Sequence, residues 1–359
     1  MFRTLPGHYP ATLVALMRSR AVLYNPGVTG YYERLLGGPT FLSARDLKER
    51  SMGTLGAVYV YDRSFRMRRF RPNLKGLRNV SEPQGLTTNS FGIVGPECSM
   101  RKPPNTRRVA LLGDSVAMGW GADQNRSFVR LLEDSLNATR PNGDSRRFEI
   151  LNFSTGGYEL TQMLDVAEED IPGFEPDVYV LSLTELAVFR NWDEHLAGLV
   201  KSGIDPKYDF LRDTIRQSGA SSSDSARALF GKLAPFRIAV LRRILTEIQS
   251  RAARSHAPFI VVLVPTLEDG DMNRRRFSGI PELLASLAIP TVDLRDTFDG
   301  ILDVEPLRSS VLDVHPNIQG HAMISANLYA KLRAQPELWA ALVGSDSRGA
   351  KDAPASPAF

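Results

Sequence analysis

The chain has a single cysteine, Cys98, among 359 residues. An intramolecular disulfide is therefore impossible, which fits a reducing compartment. No histidine lies near Cys98 in sequence, so it reads as a spectator rather than a catalytic thiol. No apolar run approaches the roughly 20 residues of a membrane span. The start of the chain lacks the pattern of a secretory signal, and the expected location is cytoplasmic. Its best apolar stretch, Ala11 to Leu16, is short and is followed by Arg18 and Arg20. The segment Leu13 to Leu23 reads as a basic amphipathic helix, packed on the main domain or resting on a membrane surface. Clustered His and Cys at metal-ligand spacing are missing, as is a Walker-type phosphate loop. Neither a metal nor a cofactor is expected. The net charge is only +4, and Arg is scattered. A nucleic-acid partner would want concentrated charge with interleaved aromatics, so none is expected. The nearest approach is Arg63-Ser64-Phe65-Arg66-Met67-Arg68-Arg69-Phe70-Arg71. It reads as a solvated strand face, with an acidic substrate or a membrane surface as the alternative.

Hydrophobic content of 43% and charged content of 23% are ordinary for a globular chain. Residues 1–104 read as an N-terminal extension, helices first and then a small β element. Lys102-Pro103-Pro104-Asn105 is a stiff linker. From Arg107, strand and helix patterns alternate: strands at Val109–Leu112, Phe148–Phe153, Val178–Leu183, Phe259–Val264 and Thr291–Leu294, with helices between them. This alternation predicts an α/β domain over 105–343, a parallel sheet with helices on both faces. Residues 184–235 interrupt the rhythm as an insertion with a helix around His195–Lys201. The stretch 344–359, rich in Ser, Ala, Pro and Asp, reads as a disordered tail.

What the chain does contain is Val109-Ala110-Leu111-Leu112-Gly113-Asp114-Ser115, followed by Met118-Gly119-Trp120-Gly121. The apolar run reads as a central parallel strand. A serine where it stops lies at the carboxyl edge of the sheet, where open α/β sheets place ligands. About 200 residues later comes Asp313-Val314-His315-Pro316-Asn317. Serine early, with Asp and His late, is the set a nucleophilic hydrolase needs. A serine hydroxyl requires a base, and the base requires an orienting acid. Among five histidines, His315 combines a preceding acid with a following proline that fixes the backbone. His321 falls in the final helix and reads as packed or capping. A strand-end serine can also be no more than a helix cap, and Asp313 no more than a turn residue.

These two blocks, together with Gly320-His321, resemble the first and last blocks of the SGNH/GDSL hydrolase family. The resemblance covers roughly residues 105–335. The lead-in Asn89-Ser90-Phe91-Gly92 and the Lys-Pro linker are similar to bacterial members with an N-terminal extension. The resemblance implies a three-layer flavodoxin-like fold, with Ser115 as nucleophile and oxyanion donor through its N–H, His315 as base and Asp313 as orienting acid. The family's second block supplies a glycine N–H to the oxyanion hole. Asn152-Phe153-Ser154-Thr155-Gly156-Gly157-Tyr158 matches it, with Gly157 on the family position and Gly156 adjacent. The third block departs. Where the family has Gly-x-Asn-Asp, this chain runs Thr184-Glu185-Leu186-Ala187. Leu186 falls where an Asn side chain should donate. Thr184 and Asn191 are candidate substitutes, and Glu185 is a candidate substrate contact or a partner for Arg190.

The function expected is hydrolysis of a carboxylic ester, an acyl or acetyl group on a small molecule, metabolite or glycan, through an acyl-enzyme on Ser115. An acyltransferase using the same intermediate is one alternative; closure of 184–235 over the site would favour it by excluding water. A binding protein on a decayed hydrolase fold is the other.

Overall fold

The computed structural model describes residues 57–79, 82–139, 146–190, 192–268, 270–310 and 313–344. The Leu13 to Leu23 segment, Asn191 and residues 345–359 lie outside the described residues. Five parallel strands form the central sheet: β5 (Thr106–Leu112), β6 (Arg147–Asn152), β7 (Val178–Leu183), β8 (Phe259–Leu263) and β9 (Thr291–Asp293), in the order β6-β5-β7-β8-β9. Before them come two antiparallel hairpins, β1 (Tyr59–Tyr61) with β2 (Arg68–Phe70) and β3 (Leu77–Asn79) with β4 (Glu82–Leu86). A last hairpin joins β10 (Arg308–Ser310) to β11 (Asp313–Pro316).

Alternation along each strand sends side chains to two cores. From β5, Val109 and Leu111 join Leu132 and Leu328 on one face. Those leucines come from helices α2 (Phe128–Ala138) and α10 (Ile318–Ala334), the labels following chain order after the single turn α1 (Ser115–Met118). Ala110 and Leu112 point the other way and meet Leu164 and Ile244, from α3 (Leu160–Glu169) and α7 (Arg237–Arg254). The result is a three-layer sandwich with the flavodoxin-like strand order. Its chain leaves β5 first to one side and then to the other, so the switch point of the sheet lies at the end of β5.

The insertion forms three helices, α4 (Glu194–Ser202), α5 (Asp209–Ser218) and α6 (Ala226–Leu233). They pack on each other, on α3 and on α7, with Leu196, Leu211 and Leu229 in the same core. Further along, α8 (Gly270–Arg276), α9 (Ile280–Ser286) and α11 (Pro336–Val343) complete the described helices.

The β1–β2 hairpin corrects the expectation of a solvated basic face. Tyr59, Met67 and Phe70 enter the α3 core, and Arg68 is buried. Arg66 is ion-paired to Asp165 and Asp170 at 2.5 Å each, while Arg63, Arg69 and Arg71 remain exposed, so the correction applies to Arg66 and Arg68. Cys98 is half-buried, with its thiol pushed up to about 11 by burial and the nearby Glu149. That keeps it an unreactive thiol.

Candidate active site

β5 ends at Leu112, and Gly113 makes the turn. A Cβ on Gly113 would sit 2.5 Å from the Ala117 Cβ and 3.1 Å from the Ser154 Oγ, so the tight passage excludes a side chain. Asp114 then caps α1 by accepting from the Val116 N–H at 3.0 Å. Ser115 is the first residue of that turn, buried at the switch point.

Asp313 and His315 arrive on β11, held by the β10–β11 hairpin and by the Leu267 N–H donating to the Val314 carbonyl at 2.8 Å. The chain of contacts runs unbroken. The Ser115 Oγ lies 2.6 Å from the His315 Nε2. The His315 Nδ1 lies 2.5 Å from the Asp313 Oδ1. Asp313 also accepts from the His315 backbone N–H at 3.0 Å and, through Oδ2, from the Trp120 Nε1–H at 2.9 Å. Burial alone would raise this carboxyl; the charge and hydrogen bonds of His315, then the Trp120 indole, hold it well below the usual carboxylate range. Asp313 therefore stays ionised and takes the Nδ1–H, which leaves the Nε2 lone pair facing the serine hydroxyl.

His321 has a different environment. Its Nδ1 accepts from the Phe128 N–H at 3.3 Å, and its Nε2 reaches the Trp120 carbonyl at 2.9 Å. That pattern fixes the neutral Nε2–H tautomer, and burial pulls its pKa down to about 4.

The second-block loop lies beside Ser115. Leu111 on β5 pairs with Asn152 on β6, the Thr155 N–H donates to the Gly113 carbonyl at 3.2 Å, and the Asn152 side chain donates to the Ala117 carbonyl at 2.7 Å. Gly157 takes φ +68, a left-handed conformation that favours glycine. Beneath the loop, Arg68 donates through Nη2 to the carbonyls of Gly156 at 3.1 Å and Gly157 at 2.6 Å.

The third-block candidates point elsewhere. The Thr184 hydroxyl donates to the Asp114 Oδ2. Glu185 is fully buried and accepts from the Thr266 hydroxyl at 2.5 Å, with the Asn273 Nδ2 at 3.5 Å. Burial is the main cause that raises its carboxyl to about 7. Neither residue bonds the Ser115 hydroxyl; Thr184 is committed to Asp114, and Glu185 to Thr266 and Asn273. Each follows the strand end, where a side chain is free to face a ligand, yet each is satisfied sideways across the sheet edge. Leu186 is buried and opens a π-helical turn, Leu186–Arg190.

Two buried residues that bond the site's loops were not picked out from sequence. Trp120 stands between two glycines of the first motif, and a buried indole N–H needs an acceptor. Arg68 sits in strict alternation with Phe70 on β2, the period-2 signal of an inward face. Among the described residues, no group of His, Cys, Asp and Glu is placed to hold a metal, and no helix is long and apolar enough to cross a membrane.

Ser115, His315 and Asp313 thus meet at the carboxyl end of β5 in one line of contacts. Among solved structures, the chain is similar to TesA at 14% identity and TM-score 0.40, over 63% of this chain and 98% of that one. It is similar to a putative lipolytic protein of the G-D-S-L family from Desulfitobacterium hafniense, at 11% identity and TM-score 0.41, over 63% and 99%. A catalytic mutant of an acetylxylan esterase from Geobacillus stearothermophilus aligns at 15% identity and TM-score 0.43, over 63% and 94%. No family model matches the chain, and no curated protein matches it.

Proposed function

We propose that the protein is a serine ester hydrolase that forms an acyl-enzyme on Ser115. The observation that carries this reading is the continuous contact from Asp313 through His315 to the Ser115 hydroxyl, at 2.5 and 2.6 Å. In the first step the Ser115 Oγ attacks the ester carbonyl carbon while its proton passes to the His315 Nε2. Asp313 stabilises the imidazolium that forms. The carbonyl oxygen becomes an oxyanion, met by the N–H groups of Ser115 and Gly157. Collapse expels the alcohol oxygen, which takes the proton from the His315 Nε2. Water then attacks the acyl carbon while its proton passes to the His315 Nε2, and collapse breaks the bond to the Ser115 Oγ, which takes that proton as the acid is freed.

No metal or cofactor takes part in this scheme. The substrate class is an ester of a small molecule, metabolite or glycan, and neither nucleic acid nor a membrane span is required. An acyltransferase would share every step up to the acyl-enzyme. The argument for it from a closing insertion weakens, because the α4–α6 helices bury their apolar faces on α3 and α7. A binding protein on the same fold would not need the serine–histidine contact. The test is a fluorophosphonate probe followed by mass spectrometry. Ser115 is expected to be the labelled residue, and labelling elsewhere with Ser115 untouched in folded protein would overturn the assignment.

A further inference from the structure

The N-terminal hairpin delivers a buried cation to the back of the second-block loop. Arg68 is 1% exposed. Its guanidinium lies 5.8 Å from the Tyr59 ring centroid and 5.6 Å from that of Tyr158. The Tyr158 hydroxyl in turn donates to the Arg68 carbonyl at 2.6 Å, so β2 and the loop are tied in both directions. Among the described residues no carboxylate forms an ion pair with Arg68, and its Nε is buried without a hydrogen-bond partner. Its charge is felt by the buried Glu159 carboxyl without a direct bond, and burying a charge without a bonded partner is costly, so what it does contact is informative. Its Nη2 donates to the carbonyls of Gly156 and Gly157 at 3.1 and 2.6 Å.

The Gly156 carbonyl belongs to the same peptide unit as the Gly157 N–H. In a planar trans peptide these two groups point in opposite directions. Fixing the carbonyl on Arg68 therefore fixes the direction of the Gly157 N–H on the other side. A cation at the carbonyl oxygen also polarises the peptide and strengthens its N–H as a donor.

We propose that Arg68 is a positioning residue for catalysis, which acts through the Gly156–Gly157 peptide to aim and strengthen the Gly157 N–H as an oxyanion donor. This rests on the hydrolase reading above. It also accounts for how a site with Leu186 in place of a third donor can hold an oxyanion with backbone groups. On this view the β1–β2 hairpin is part of the catalytic apparatus.

The experiment compares wild type, Arg68→Lys and Arg68→Met, with steady-state kinetics on p-nitrophenyl acetate and fluorophosphonate labelling of Ser115 in each. Loss of an oxyanion donor costs about 10²–10³ in rate. Arg68→Met is expected to lose about 10²-fold in kcat, with KM within about twofold, because the effect is confined to the transition state. Arg68→Lys keeps the charge and loses the fork, and should lose about tenfold. Added ethylguanidinium at millimolar concentration should recover part of the Arg68→Met rate, and should not do so in wild type. A purely structural role would lower the melting temperature of the variants without this kcat-specific loss or rescue. If wild type labels at Ser115 and a folded Arg68 variant keeps wild-type kcat, this proposal fails and the hydrolase reading stands. It fails in the same way if the loss falls equally on KM and no rescue is seen. If wild type neither labels nor turns over ester, the hydrolase reading fails and takes the role of Arg68 with it. Should Arg68→Met not fold, Arg68→Lys decides by the same kcat-against-KM split.

Discussion

At the scale of single residues, the site separates groups that react from groups that hold them. Trp120 is the clearest holder, because its indole N–H reaches the Asp313 oxygen that His315 does not use, at 2.9 Å. A hydrogen bond to a charged acceptor contributes about 1.5–3 kcal/mol. Trp120→Phe keeps an aromatic ring, a smaller one, and removes that donor, so kcat should fall by about 10- to 100-fold with KM little changed. Unaltered kcat in a folded Trp120→Phe protein would show that His315 alone orients the acid. The two histidines can be told apart in the same assays. His315→Ala should abolish ester turnover together with its rise as pH climbs through the imidazole range. His321→Ala should chiefly lower the melting temperature, since it removes a bridge between the Phe128 N–H and the Trp120 carbonyl. If His321→Ala eliminates turnover while His315→Ala does not, the two roles are exchanged.

At the scale of elements, the first and last motifs are fitted to one another. Gly121 takes φ +86, and a Cβ there would lie 2.3 Å from the Pro316 carbonyl oxygen and 2.9 Å from the Ser309 Cβ. The obstruction is backbone, so it cannot swing aside. Gly121→Ala should destabilise by about 1–3 kcal/mol and should cut turnover by displacing β11 against α1. Denaturant melts alongside kcat would check both, and a variant with native stability and activity would show that the loops have slack there. The five core strands were legible because each lies in a short, mostly apolar run bounded by turn residues, as Val178–Leu183 illustrates. Ser115, His315 and Asp313 were legible because they stand where such runs or their connecting loops stop. The helices α5 and α6 were not, since they hold few large apolar residues to mark them: Asp209–Ser218 buries only Leu211 and Thr214. The partners of the Thr184 hydroxyl and the Glu185 carboxyl were not legible for another reason. Asp114 and Thr266 follow other strand ends and Asn273 sits on α8, and adjacency across a sheet edge is not written in local spacing.

At the scale of the whole molecule, the buried ionisable groups oppose one another across the mildly acid range. His195 is enclosed between the Thr161 hydroxyl at 2.8 Å and the Phe65 carbonyl at 2.6 Å, and burial lowers it to about 4, as it does His321. Each binds a proton more readily in the unfolded chain, so both withdraw stability as pH falls from about 6.5 toward 4. Glu185, raised to about 7 from 4.5 chiefly by burial, acts in the reverse sense. The folded protein binds its proton more tightly, so its contribution is complete below about pH 4.5 and is lost as pH rises through 7. Glu185→Gln keeps the shape and the donor while removing the titration. The variant should therefore gain stability over wild type above pH 7, by up to about 3 kcal/mol for a shift of this size. It should also lose stability more steeply than wild type on acidification from pH 7 to 4.5, because the two histidines are then less opposed. Urea unfolding of both proteins across that range measures the difference, and parallel pH profiles would mean that Glu185 carries the same charge folded and unfolded.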